Sequence, residues 1–442
     1  MRHLNRHNRV THIAVITVVG MLLASSLIPS LTGQDIPRLA TAQSRKATGR
    51  SKRKSASKVA LVENTSVAAQ TARPSRLTGG FIQYDNDSRY VSKDEWRQVI
   101  GQMQAAGMDT VIIQWVRHIK ASEYDFDFFT NPNGVDPTAE ILGYVEENNK
   151  DKNKSKMQIF IGLEFNEDWW GNAESANAEY FKRLETDSKR SADAVWERYG
   201  KSGRYKTAFA GWYLPHETWN VTYSEGQITT LRNFFKNVSV RCKKDRGNKP
   251  LAMSPIFSPI HYSAGTPSEV ERVYTSLLTG AGVDILMVQD GVGARVWDTK
   301  EQIEKYVPPY LTAFANASRN AGEANQKKNE NGVELWANLE AFVQMHNGDR
   351  DEQPWDAKPA CINRLKMQVE AAKSVEGVRK MVTFDFFHYM NNVTNALYQL
   401  PLCERGRLYC SYVREFVPEN KSCQSYKDEP SCAPTSDRHC PS

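Results

Sequence analysis

Between residues 79 and 390, short apolar runs alternate with longer amphipathic stretches. The runs are GFIQY (80–84), TVIIQWV (110–116), MQIFIGLEF (157–165), AFAGWYLP (208–215), LAMSPIF (251–257), DILMVQD (284–290), LWANLEAF (335–342) and MVTFDFFHYM (381–390). Most are apolar at consecutive positions rather than at every second one, the pattern of strands buried on both faces, as parallel strands are. The stretches between them carry helix signals. Ser92 and Glu95 form a capping box ahead of Trp96, Val99, Ile100 and Met103 on one face, and the segment stops at Gly107. Asp136 precedes Pro137, a cap with proline in the first helical position. Eight runs each followed by a helix predict an α/β fold, a (β/α)8 TIM barrel over residues 77–400. An open doubly wound sheet is the second architecture that the pattern allows.

The flanks have a different texture. Residues 34–76 are dominated by Ser, Thr, Ala, Lys and Arg, as in SRKATGRSKRKSASK, with no sustained periodicity, and read as a disordered basic linker. Before it, Arg2, Arg6 and Arg9 lead into the largely apolar residues 13–31. Residues 1–33 therefore read as a signal peptide, with Ala40-Thr41-Ala42 as a cleavage candidate, or as an uncleaved anchor. Either predicts a protein secreted or otherwise outside the cytoplasm, held at the cell surface if the segment stays. Residues 401–442 hold five of the seven cysteines and predict a disulfide-rich tail. Cys242 and Cys361 are open to pairing with each other or with the tail, one cysteine being left over. No CxxC pair supports a zinc site there. Eight N-x-S/T sequons, Asn64, Asn86, Asn153, Asn220, Asn237, Asn316, Asn392 and Asn420, would permit glycosylation in a host that glycosylates.

Charge narrows the partners. The chain of 442 residues has a formal net charge of +6, but residues 1–80 carry thirteen basic and two acidic side chains, which is +11. The remainder is therefore about −5. A mildly acidic folded part argues against a nucleic-acid partner. A membrane enters only through the N-terminal segment.

In a (β/α)8 barrel the working face is the C-terminal end of the strands. Polar and aromatic residues collect where the runs end: Gln83 and Asp85, Gln114 and Trp115, Glu164, His216 and Glu217 with Trp219, Gln289 and Asp290, Asn338 and Glu340, then Asp385, His388 and Tyr389. Glu217 ends the fourth run and Glu340 the seventh, so both face one cavity. Two carboxyl groups across a sugar-sized cavity suit glycoside hydrolysis, one protonating the leaving oxygen and the other attacking the anomeric carbon or activating water. Glu217, beside Pro215, Trp212 and Trp219, is placed to be desolvated and hence protonated, as an acid must be. Candidate substrate-binding residues are Gln83, Gln114, Trp115, Glu164, His216, Trp219, Asp290, Asn338, His388 and Tyr389. Asp290 could hold a hydroxyl or orient His216, and Asn338 a carboxylate or a hydroxyl. Trp169 and Trp170 are further stacking candidates, whereas Trp212 and Trp336 read as core. No dinucleotide, Walker or GxSxG signature is present, so no organic cofactor is implied, and a metal held by Asp290, Glu164 and His216 has no ligand spacing behind it.

The segments GGFIQ, DTVIIQW, FAGWYLPHE, MSPIFSP, LMVQDGVG and WANLEAF resemble the bacterial family catalogued as domain-of-unknown-function 4434. The resemblance runs from Gly79 to Asn392 and implies a secreted (β/α)8 glycoside hydrolase. More loosely the chain is similar to glycoside hydrolase clan A. That resemblance implies Glu217 as acid/base and Glu340 as nucleophile, with retention of configuration, on a polysaccharide or glycoconjugate. The chain departs from the clan in having His216 where an asparagine usually precedes the acid/base, so Asn338 becomes the candidate contact to the sugar 2-hydroxyl. The rival readings are a non-catalytic glycan-binding barrel, told apart by substituting either glutamate, and a cell-surface adhesion protein working through the linker and tail.

Overall fold

A computed structural model describes residues 74–423, except 86–87, 89–90, 121–122, 128–134, 174, 222, 259–264, 295–298, 328–331, 346–356, 392, 394–401 and 421–422. The N-terminal segment, all but three residues of the basic linker, and most of the cysteine-rich tail lie outside the described residues. Eight parallel strands form a closed barrel: β1 (Gly79–Ile82), β2 (Thr110–Ile113), β3 (Gln158–Gly162), β4 (Phe209–Leu214), β5 (Leu251–Met253), β6 (Ile285–Gln289), β7 (Glu334–Glu340) and β8 (Val378–Phe384). Each strand pairs with its sequence neighbours, and β1 closes on β8. All eight apolar runs are barrel strands, and the open sheet is excluded.

The helices are α1 (Lys93–Ala105), α2 (Pro137–Lys150), α3 (Ala178–Val195), α4 (Glu225–Lys243), α5 (Pro267–Leu278), α6 (Lys300–Gln326), α7 (Ile362–Ser374) and α8 (Leu402–Phe416). Ser92 and Asp136 cap α1 and α2 as their spacing predicts, and α4, α5 and α6 start with further capping boxes. Each such cap stabilises its helix by about 1 kcal/mol. Helix α8 takes the secondary structure past residue 400. Leu408, Tyr409, Tyr412 and Val413, spaced to share one helical face, are buried, and the Tyr412 hydroxyl accepts from the Leu77 backbone N–H at 2.9 Å.

Strand parity decides which side chains enter the barrel. Phe81 meets Tyr213 at 5.2 Å and Phe384 at 5.6 Å, and Phe160 meets Trp336 at 5.7 Å, so these rings fill the interior. Gly211 makes room for them, since a Cβ there would lie 2.2 Å from the Phe160 ring. Each ring so buried contributes about 1.5–3 kcal/mol. Two small sheets sit beyond the strand ends: Glu123–Asp127, Arg117–Lys120 and Glu164–Asn166 after β2 and β3, and Phe342–Gln344 with Ala357–Pro359 after β7. The apolar pattern predicts neither of them.

Cys410 is bonded to Cys423, Cys361 is also disulfide-bonded, and Cys242 is a buried free thiol on α4. Asn220 is buried and bonded both ways to the Ser258 backbone, so its sequon is closed to modification. No helix among the described residues is long and apolar enough to cross a membrane.

Candidate active site

Glu217 lies three residues past β4 in the parity of Tyr213, and Glu340 closes β7 in register with Phe384. Tyr213 and Phe384 both face the interior ring Phe81, so both glutamates enter the barrel mouth. Their environments differ. Burial pushes the Glu217 carboxyl up to about 8; a hydrogen bond from the Gln289 amide opposes this, and the charge of Glu340 adds to it. Gln289 is in register with Asn338 on β7 and also donates to the Ser254 carbonyl at 3.1 Å. Tyr213, bonded to Ser254, feels the Glu217 charge.

Glu340 is gripped rather than merely enclosed. Its Oε2 accepts the Ala294 backbone N–H at 2.7 Å, and Gly293 supplies a second backbone bond. Burial and then the facing Asp290 carboxylate push its carboxyl up to about 8, as high as Glu217, against the opposing effect of the N–H groups and the Arg364 guanidinium. The Arg364 guanidinium donates to the main-chain carbonyls of Glu340 and Phe342.

The other expected site residues divide into three groups. Gln83, Gln114 and Asn338 follow the inward parity of Phe81, Ile112 and Glu340 and are buried, yet Oε1 of Gln83, Oε1 of Gln114 and Oδ1 of Asn338 have no hydrogen-bond donor among the described residues. These carbonyl oxygens keep unused acceptor capacity among the described residues. Asn338 also donates to Ser254 Oγ at 3.2 Å.

A second group is engaged elsewhere. His216 does not join its neighbour Glu217: it has the parity of Trp212 and lies on the helix side, 5.0 Å from the Trp169 ring, 5.3 Å from Phe165 and 6.1 Å from Phe234 of α4. Neither ring nitrogen has a partner among the described residues, and burial lowers its pKa to about 3. The two-residue period of the strand thus sets His216 on the face opposite Glu217. Asp290 does not orient His216; its oxygens accept from the Gln368 amide at 2.6 Å and from the backbone of Val292 and Glu340. Glu164 is paired with Arg117 at 3.8 Å, and its pKa is raised to about 7 chiefly by burial. His388 is clamped by Asp385 at 2.7 Å on Nδ1 and by Asp85 at 3.1 Å on Nε2. Burial alone would lower its pKa; the two carboxylates outweigh that and raise it to about 10.

The third group is aromatic. Trp115 lies 5.3 Å from both His118 and Phe165, which also stack on each other, and donates to the Tyr84 carbonyl. Trp219 meets Trp170 edge to face at 5.2 Å, and Tyr389 lies 5.3 Å from Phe342. Trp169 donates to the Glu217 carbonyl, while Trp212 and Trp336 are core, as expected. Asp290, Glu164 and His216 each have separate surroundings, and no cluster of three His, Cys, Asp or Glu among the described residues could hold a metal ion.

Sequence reasoning names Gln289 at the end of its run without giving it a role, and passes over the backbone of residues 293–294 and Arg364 with Gln368. Gln289 was legible as the last inward position of its run. Arg364 and Gln368 stand one turn apart on the buried face of α7 beside Leu365 and Val369, polar residues on an otherwise apolar stripe.

A family profile described as "Domain of unknown function (DUF4434)" matches residues 77–397. No curated protein matches the chain. Among solved structures, one from Bacteroides thetaiotaomicron VPI-5482, provisionally assigned as an α-L-fucosidase, is 22% identical with a TM-score of 0.56, over 77% of this chain and 93% of that one. A family 1 β-glucosidase from Thermotoga maritima is 11% identical with a TM-score of 0.43, over 78% and 98% of the two chains. The first likeness shows a shared barrel fold.

Proposed function

The chain belongs to the DUF4434 family, and from that premise and the two carboxyl groups at its barrel mouth we propose that it is a glycoside hydrolase. One observation carries the reading. Two buried glutamates stand after the fourth strand and at the end of the seventh, Glu217 feels the charge of Glu340, and Glu340 accepts backbone N–H bonds from the loop after β6. Both carboxyls are raised to about 8, so the pair holds protons near neutrality, and the roles are assigned by position, with the peptide N–H groups at Glu340 suited to steady the anion there when it forms.

In this mechanism Glu217 gives its proton to the glycosidic oxygen as the bond to the anomeric carbon breaks. The Glu340 carboxylate attacks that carbon and forms a glycosyl ester. Glu217, now an anion, takes a proton from water, whose oxygen attacks the same carbon and releases Glu340. Product and starting sugar then share one anomeric configuration. The amide oxygens of Gln83, Gln114 and Asn338 support a hydroxyl-rich ligand: each is buried without a donor among the described residues, at a cost of about 1–3 kcal/mol that a sugar hydroxyl would offset. The disulfides and the signal-like N-terminus support action outside the cytoplasm.

The test is turnover of aryl glycosides and polysaccharides by wild type, Glu217→Gln and Glu340→Gln, with the product anomer followed by proton NMR. Glu340→Gln should lose about a thousandfold or more, while Glu217→Gln should retain more activity on glycosides with good leaving groups. Glycan binding without turnover, unchanged by either substitution, would make this a binding barrel instead.

A further inference from the structure

We infer that Asp290 and the loop of residues 291–294 form a cradle that positions the Glu340 carboxyl group for its reaction. The inference rests on the reading of Glu340 as the reacting carboxylate. Three polar parts of Glu340 are fixed at once. Its backbone N–H donates to Asp290 Oδ1 at 3.3 Å, its carbonyl accepts from Arg364 at 3.1 Å and Gln368 at 3.2 Å, and its carboxylate takes the Ala294 N–H at 2.7 Å. Asp290 joins these contacts. Oδ1 also accepts the Val292 N–H at 3.2 Å, which turns the loop back, and Oδ2 accepts the Gln368 amide at 2.6 Å. The Asp290 N–H donates to the Asn338 carbonyl at 3.1 Å. One residue thereby ties together the end of β6, the loop, β7 and α7.

The two glycines of the DGVG segment answer to the same geometry. Gly291 has φ +67°, a left-handed conformation that starts the reversal. At Gly293 a Cβ would lie 2.6 Å from the Phe342 carbonyl oxygen and 3.0 Å from Glu340 Oε2, so only glycine lets the backbone reach the carboxylate. A carboxylate suits position 290 because it accepts at both oxygens, where an amide accepts at one. Its charge also matters. The charged groups facing Glu340 are Asp290 at the end of β6, Arg364 on α7 and Glu217 after β4, and Asp290 disfavours ionisation. The cradle thus holds the carboxylate in place while Asp290 limits how early it ionises.

The full-length protein labelled with [5-13C]glutamate tests this directly. The carboxyl resonance missing from Glu340→Gln is assigned to Glu340 and titrated in wild type, Asp290→Asn and Gly293→Ala. An asparagine at position 290 can be accommodated, since Gln368 Oε1, which has no donor among the described residues, would receive its amide after a flip. The midpoint should fall by about one pH unit in Asp290→Asn, because a facing negative charge is gone. It should rise in Gly293→Ala, where the N–H groups are pushed off the carboxylate. An unchanged or raised midpoint in Asp290→Asn overturns the inference, and if that variant does not fold, an unmoved midpoint in Gly293→Ala does so. The titration needs no substrate, so it fails separately from the hydrolase reading, which the turnover of Glu340→Gln judges.

Discussion

Replacing Glu217 by glutamine should stabilise the protein at alkaline pH and leave its stability almost unchanged at acidic pH. The Glu217 carboxyl has its pKa raised from 4.5 to about 8, first by burial and then by the Glu340 charge. A carboxyl whose pKa is higher folded than unfolded holds its proton more tightly in the native state. Its contribution is fully present below pH 4.5 and is lost as pH rises through about 8. At about 1.36 kcal/mol per pH unit, a rise of about 3.5 (about 8 minus 4.5) sets an upper bound of about 5 kcal/mol on what wild type loses across that window. Glutamine is nearly isosteric, keeps a partner for Gln289 and does not titrate. Urea unfolding of wild type and Glu217→Gln at pH 5 and pH 8 isolates the effect, because groups that do not feel the Glu217 charge cancel in the difference, and Glu340, relieved of that charge, only adds to the advantage of the variant at high pH. The advantage of the variant should grow by at least about 2 kcal/mol between the two pH values. Equal differences at both would mean that the carboxyl titrates as it does in water, and the protonated acid at neutral pH would be lost with it.

Two further expectations concern His216 and His388. His216→Phe should retain turnover and be as stable as wild type or more so, because an aromatic cage that offers no hydrogen-bond partner among the described residues suits phenylalanine at least as well as neutral imidazole. A loss of about a hundredfold in kcat/KM would return His216 to the substrate. For His388 the folded pKa is raised from 6.5 to about 10, with Asp385 and Asp85 outweighing the effect of burial. Its stabilisation is therefore complete below 6.5 and lost as pH rises through about 10. The melting-temperature gap between wild type and Asp85→Asn should be widest near pH 6 and close towards pH 10. A gap independent of pH would show that the imidazolium is not what joins β8 to the segment after β1.

The barrel was legible because its signal is local and repeated. Buried parallel strands must be apolar on both faces and crossover helices must be capped, so the eight runs and the boxes at Ser92–Glu95 and Asp136–Pro137 each restate the same architecture. Position at a strand end similarly brought out Glu217 and Glu340. Helix α8 was missed because cysteines and charges mask its apolar face, and the accessory strands because they are too short to show a period.

What the sequence by itself determined is therefore the alternation of strand and helix and the rank of each strand, which put the two glutamates at one end of one barrel. What only the tertiary structure decided is which way each neighbouring side chain points and what it meets there. His216 and Glu217 are adjacent in sequence but lie on opposite faces of the same strand extension, so one is a core imidazole and the other a mouth carboxyl. Asp290, Glu340 and Gln368 are far apart in sequence yet share one hydrogen-bonded cluster. Periodicity is carried by consecutive residues, whereas hydrogen bonding and desolvation depend on distances that exist only once the barrel has closed.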